Sequence, residues 1–457
     1  MSFLNKKYTK ASLILAVPVM LTQVGQVSVN LFDNIIVGNL LGADALASVA
    51  LANGVFFAIF VFALGFSFAI PPLVSEAHVN HNHEKINQVF RHGFVINMTV
   101  AVLLMTILYA LLPLIYHLDQ PPKIIPNTIS YLSIMILTMI PFMLFQTLRE
   151  VSEGLSYTIG VTKATIAANI VNIILNYIFI KGLFGVKPMG VDGSAWATFI
   201  ARIFMVILLY FILRKKVQTR RYILDFSLKI KSFSKDIFET MIRLGFPTAL
   251  QMFFEISAFA AAAFICGLIS AKDIASHQIA LSMASFTFNL CIGFSVASTI
   301  MVGRRIGEGD FVGVKAVGIN NIKITFIFMA MCGTFFILGR HILPTFFTKK
   351  EDVEVILLAS KLLIVAALFQ LSDGIQVTAL GSLRGLQDVK VPSIITFIAY
   401  WLITLPLGYF LCVSLKLGAL GVWIALGVGL SISAVLLVRR FLTLADKKIA
   451  IHNFKGN

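Results

Sequence analysis

Apolar runs of about twenty residues or more follow one another along nearly the whole chain, and no other feature limits the fold as strongly. About twenty residues of helix cross a hydrocarbon layer of about 30 Å. Backbone inside lipid must satisfy its own hydrogen bonds, as a helix does. The runs fall at residues 12–38, 46–74, 88–116, 126–150, 162–184, 190–213, 240–268, 276–302, 318–342, 353–380, 391–412 and 418–440. They predict an all-α integral membrane protein with twelve transmembrane helices. Several runs exceed the minimum, so tilt or extension beyond the bilayer is expected. Only 13% of the 457 residues are charged, about half the share of a soluble domain.

The net charge is +16, which in a soluble protein would suggest nucleic acid. Here Lys and Arg concentrate in alternate connections, at 78–91, 149–163, 304–315, 384–390 and the tail from Arg439. The intervening connections, around Asp44, Asp119, Lys187, Lys272 and Lys416, are short and less basic, and 349–352 is mixed. This is the positive-inside pattern. It places both termini in the cytoplasm, accounts for the basic excess and leaves nucleic acid no role. The longest connection, from Arg214 to Arg243, carries Arg214, Lys215, Lys216, Arg220, Arg221, Lys229, Lys231, Lys235 and Arg243. It reads as a cytoplasmic linker against anionic lipid headgroups, with residues 222–238 lying along the membrane surface. The basic N-terminus leads into a run too long and too polar for a cleaved signal, so that run is expected to be a retained first span. Cys266, Cys291, Cys332 and Cys412 all sit in apolar runs and read as small core residues, with no disulfide framework.

The chain repeats itself. Pro18 begins a segment matched by Pro247, and Gly38 and Gly267 follow at the same offset. Residues 190–197 match 418–425, and 152–155 answer 383–386. Two six-helix halves are expected: an N-lobe at 1–213, the basic linker at 214–239, and a C-lobe with its tail at 240–457. An even number of spans per half makes the repeats parallel, which predicts a V-shaped cavity between them and alternating access by rocking.

Three carboxylates interrupt the apolar runs: Asp33, Glu255 and Asp373. Each costs about 2.5–3.5 kcal/mol near mid-membrane on the mildest scale, so a functional reason is expected. Phe369, Asp373 and Gln376 share one helical face, as do Glu255 and Phe259, with Gln278 near the start of the eighth span. Carboxylate and amide oxygens suit a hard cation. Two buried acids can equally exchange a proton, and the residues leave both chemistries open. In the first span Gln23, Gln26, Asn30 and Asp33 form a polar stripe, and in the fifth Asn169, Asn172 and Asn176 form another. The two stripes are expected to meet and line an N-lobe cavity. Arg202, mid-span in the sixth helix, calls for an acid or carbonyl partner. Glu150 and Glu153 are expected to pair with Arg149 or Lys163, and His78, His81 and His83 to be solvated. No nucleophile–base set, phosphate loop or H-E-x-x-H motif points to an enzyme or an ATP-driven pump.

These residues resemble the multidrug and toxic compound extrusion family, in its bacterial NorM-type branch. The resemblance covers nearly the whole chain. It is carried by residues 369–376 with 383–388, by Glu255, by 275–280 and by 304–310. It implies secondary active efflux of bulky, often cationic, drug-like organic compounds across a bacterial cytoplasmic (inner) membrane, driven by inward Na⁺ or H⁺. No cofactor is implied beyond the coupling ion, and no partner beyond lipid and substrate, so a monomer is expected. The resemblance implies that Glu255 and Asp373 form the cation site, and that Asp33, Asn172 and Asn176 line the N-lobe cavity. Two departures stand out. A number of relatives have Tyr where this chain has Phe369, and some have Asp where it has Asn176. A lipid-linked oligosaccharide or polysaccharide flippase of the same superfamily is the alternative, but the acids and the few buried Arg speak against it. A major-facilitator transporter lacks support, because its loop motif is absent after the second span.

Overall fold

The structure, a computed structural model, describes residues 4–117, 121–226, 233–348 and 352–455. Among the described residues, twelve helices are long and apolar enough to cross a membrane. They are α1 (Lys6–Leu41), α2 (Asp44–Val79), α3 (His83–His117), α4 (Ile125–Gly154), α5 (Ile159–Lys181) and α6 (Gly190–Lys215). The second six are α7 (Lys235–Gly267), α8 (Ala271–Gly307), α9 (Phe311–Gly339), α10 (Val353–Gly385), α11 (Lys390–Ser414) and α12 (Ala419–His452). Each apolar run has its helix. Several helices start earlier than hydropathy suggests, because polar residues cap them. Asn82 accepts from the Lys85 N–H at 2.9 Å, Ser270 from Asp273 at 3.0 Å, and Asp310 from Gly313 at 2.7 Å.

The chain forms two compact units, residues Met1–Met20 with Leu250–Asn457, and residues Leu21–Ala249. Both divisions fall two residues after a proline of the repeat, Pro18 in α1 and Pro247 in α7. Proline cannot donate to the carbonyl four residues back, so it loosens a helix at that point.

In the first unit α10 packs against α8, α9 and α12. A Cβ on Gly381 would lie 2.3 Å from the Ser295 carbonyl oxygen, so only glycine allows α8 and α10 to approach this closely. Hydroxyls close the seam: Ser295 donates to the Val377 carbonyl at 2.7 Å, and Thr299 to the Gly381 carbonyl at 2.8 Å. Small residues with hydroxyl links replace the hydrophobic drive that lipid cannot supply. In α11, Ile398–Thr404 and Phe410–Ser414 are π-helical and flank the turn containing Pro406. The Thr404 hydroxyl returns to the Ala399 carbonyl at 2.8 Å, and Tyr400 is fully buried. Such π segments frequently mark functional positions.

In the second unit α5 packs on α6, and α2 on α4. Arg149, Glu150 and Glu153 are all buried there, and Arg149 Nε donates to Glu153 Oε1 at 2.7 Å. Lys163 is exposed, so Arg149 is the partner of Glu153. His83 Nδ1 lies 2.7 Å from the Tyr222 hydroxyl, which ties the start of α3 to a short helix at Val217–Leu224. That helix buries Thr219, Tyr222 and Ile223 and exposes Arg220 and Arg221. Lys229 and Lys231 of the linker, and Asp119, Lys349, Lys350 and Glu351, lie outside the described residues.

Candidate cation and substrate sites

Each unit buries acid within the apolar part of its spans. In the second unit α1 brings Asp33, α5 brings Asn172 and Asn176, and α6 brings Thr198, all buried. Asn176 Nδ2 donates to Asp33 Oδ1 at 2.7 Å, and the Thr198 hydroxyl donates to Asp33 Oδ2 at 3.0 Å. Asn172 Nδ2 donates to Thr198 Oγ1 at 3.2 Å, and Asn176 Nδ2 also reaches the Asn172 carbonyl at 3.0 Å. Asn172 and Asn176 converge on Asp33 because four residues make one helical turn. Thr198 is the member that sequence reading misses, since a lone threonine in an apolar helix carries no signal.

The rest of the first-span stripe divides. The Gln23 side-chain oxygen accepts from Arg149 Nη1 at 3.5 Å, Gln26 is partly buried, and Asn30 is exposed. Asn169 Nδ2 donates to the Gly25 carbonyl at 2.7 Å, tying α5 to α1. Arg202 donates to the Thr138 hydroxyl and lies 4.8 Å from the Phe142 ring centroid and 5.8 Å from that of Phe56. Its charge also interacts with Asp33. Cation–π contact, a hydroxyl and a carboxylate's field thus share the task of keeping this guanidinium buried.

In the first unit Glu255 on α7 and Asp373 on α10 are both buried, and Glu255 acts electrostatically on Asp373. Gln376, one turn below Asp373, donates through Nε2 to Glu255 Oε1 at 3.4 Å and to the Tyr400 hydroxyl at 3.1 Å. Gln251 and Tyr400 also act electrostatically on the Glu255 side chain. No described residue donates a hydrogen bond to Asp373. Phe369 stands one turn before Asp373 and Phe259 one turn after Glu255, with ring centroids 6.2 Å apart, and Phe259 lies 5.9 Å from Tyr400. Gln278 is exposed, and of its hydrogen-bonding groups its carbonyl accepts from Ser282 at 2.8 Å.

Two residues here escaped sequence reading. Gln251 stands one turn before Glu255 on the same face, so its signal was available. Tyr400 had none, because the π segment sets its direction. The hydroxyl that Phe369 cannot offer is supplied nearby by Tyr400, from a different helix. The site therefore offers two carboxylates, two amides and a phenol, all oxygen donors suited to a hard cation. Among the described residues no cluster of three or more His, Cys, Asp and Glu forms a transition-metal site.

The MatE family model matches residues 18–178 and 247–410. The chain is 34% identical over 441 residues to the multidrug resistance protein NorM of Photobacterium profundum, covering 95% of each chain. It is 33% identical over 439 residues to the multidrug resistance protein MdtK of Yersinia pseudotuberculosis, covering 94% of each. Its fold is similar to that of the eukaryotic MATE transporter AtDTX14, with a TM-score of 0.87 at 18% identity over 98% of this chain and 99% of that one. It is also similar to an outward-facing multidrug resistance MATE family transporter of the MOP superfamily, with a TM-score of 0.86 at 21% identity over 97% of each. The two matched segments take in the acids of both sites, and the chain belongs to the MatE family, in its NorM-type branch.

Proposed function

We propose that this protein is a secondary active multidrug efflux antiporter. It exports bulky, often cationic organic compounds in exchange for Na⁺ or H⁺ by alternating access, in a bacterial inner membrane with both termini in the cytoplasm. The observation that carries this reading is the Glu255–Asp373 pair, two buried acids of which one has no hydrogen-bond donor among the described residues. Two carboxylates held close together in a low-dielectric interior repel more strongly than they would in water. A proton or a metal cation relieves that repulsion.

The pair can therefore take up a cation and release it as the helices around α10 rearrange. Ion binding changes the charge that a cationic substrate meets, so ion and drug affinities are linked, and the linkage is reciprocal. Asp33, held by Asn176 and Thr198, supplies negative charge in the other unit and is the proposed contact for cationic substrates there. The names of the NorM and MdtK relatives support drugs as the cargo, and the polysaccharide-flippase reading has no comparable support. The remaining partners in this reading are membrane lipids, and the working form is a monomer.

Cells producing the protein should accumulate less of a cationic dye than cells with an empty vector, with Na⁺ and external pH varied independently. Dye accumulation equal to the control under every condition would overturn the reading. Na⁺ independence with steep pH dependence would identify the proton as coupling ion.

A further inference from the structure

We propose that His277 and Trp423 hold a buried water between them. That water fixes the Trp423 indole, which in turn holds Phe369 against the cation site. The second clause rests on the cation-site reading above, whereas the first does not.

His277 on α8 and Trp423 on α12 are both fully buried, and their ring centroids are 5.9 Å apart. Among the described residues both imidazole nitrogens and the indole Nε1 lack a hydrogen-bond partner. Their meeting is set by the fold. Asp273, one turn before His277, accepts the Ala419 N–H at 2.7 Å, one turn before Trp423. That bond aligns α8 and α12, and the two aromatic side chains follow at the same level. The other oxygen of Asp273 accepts from Ser270 at 2.5 Å, so Asp273 is fully engaged.

A neutral imidazole has one donor and one acceptor nitrogen, and an indole has a donor only. One water between the rings pairs the indole and one imidazole nitrogen: it accepts from the indole N–H and donates to the imidazole acceptor. Buried polar groups are rarely left unpaired. Buried waters typically bond two to four such groups. The consequence reaches the carboxylates through rings. Trp423 packs edge-on against Phe369 at 5.5 Å, and Phe369 packs edge-on against Phe259 at 6.2 Å. An indole held at both its ring and its nitrogen is held in one rotamer, and Phe369 is held with it. His277 is thus a positioning residue for the cation site.

The chain has three tryptophans. A full-length protein carrying Trp196→Phe and Trp401→Phe leaves Trp423 as the single indole. Ultraviolet resonance Raman spectroscopy then reads whether its N–H is hydrogen-bonded. The expected result is a bonded indole, with the bond lost in His277→Phe and retained in His277→Gln. An unbonded indole in the parent, or a bonded signal that survives His277→Phe, overturns the water. In proteoliposomes His277→Phe should raise the half-saturating concentration of the coupling ion several-fold, with His277→Gln restoring it. An unchanged half-saturation in His277→Phe overturns the positioning role. Failure of the cation-site reading would show separately, as ion coupling that persists in Glu255→Gln, and would leave the Raman result unaffected.

Discussion

Tyr400→Phe tests the geometry of the cation site with the least disturbance. The ring stays, and with it the contact to Phe259 at 5.9 Å. What is lost is one hydroxyl, which accepts from Gln376 Nε2 at 3.1 Å and acts electrostatically on the Glu255 side chain. A hydrogen bond between neutral groups is worth about 0.5–1.5 kcal/mol. With tenfold in affinity for every 1.4 kcal/mol, the half-saturation for the coupling ion should move by about 2- to 12-fold. The sign depends on the ion. If Na⁺ is bound, the hydroxyl oxygen is a ligand, and its loss moves half-saturation to higher Na⁺. If the proton is bound, the hydroxyl stabilises the empty carboxylate, and its loss moves the transport midpoint to higher pH. The assay is dye efflux from proteoliposomes titrated separately with Na⁺ and with pH. Titrations that overlay those of the unmodified protein in both series would refute the placement of Tyr400 in the site.

Further outcomes follow from the same structure. Asp33→Asn should impair efflux of cationic compounds while sparing neutral ones, and equal loss of both in transport assays would remove Asp33 from substrate contact. Arg149→Met leaves Glu153 buried without its partner, which should destabilise the protein by about 3–5 kcal/mol; a thermal melt in detergent unchanged from the parent would contradict this. Gly381→Val places a side chain against the Ser295 carbonyl, where even a Cβ would approach to 2.3 Å. It should lower the melting temperature and slow transport, whereas an unperturbed melt would mean that the α8–α10 seam can open at little cost.

The twelve spans were legible because lipid imposes a single length and composition on a crossing helix. Their ends were less so, since caps such as Ser270 and Asp310 are set by local hydrogen bonding rather than hydropathy. The acids stood out because an ionisable residue in an apolar run is costly, and the one-face spacing of Asn172 and Asn176 goes with a hydrogen bond from Asn176 to Asp33. Three features were hidden. Tyr400 depends on a π segment, which no residue pattern announced. Thr198 matters only through what it touches. The passage of α1 and α7 from one compact unit to the other leaves no mark except Pro18 and Pro247, and a proline in a helix does not say what packs on either side of it.

The claim at the centre of this account is that Glu255 and Asp373 form one exchangeable cation site. The most direct measurement is drug efflux from proteoliposomes, driven by an imposed Na⁺ gradient or an imposed pH gradient. It compares the unmodified protein with Glu255→Gln and Asp373→Asn, each first checked for intact folding by its melt. The account predicts that both variants fold and insert, yet lose the ion-stimulated component of efflux whichever gradient drives the unmodified protein. Ion-driven efflux that persists at full rate in either variant would contradict it.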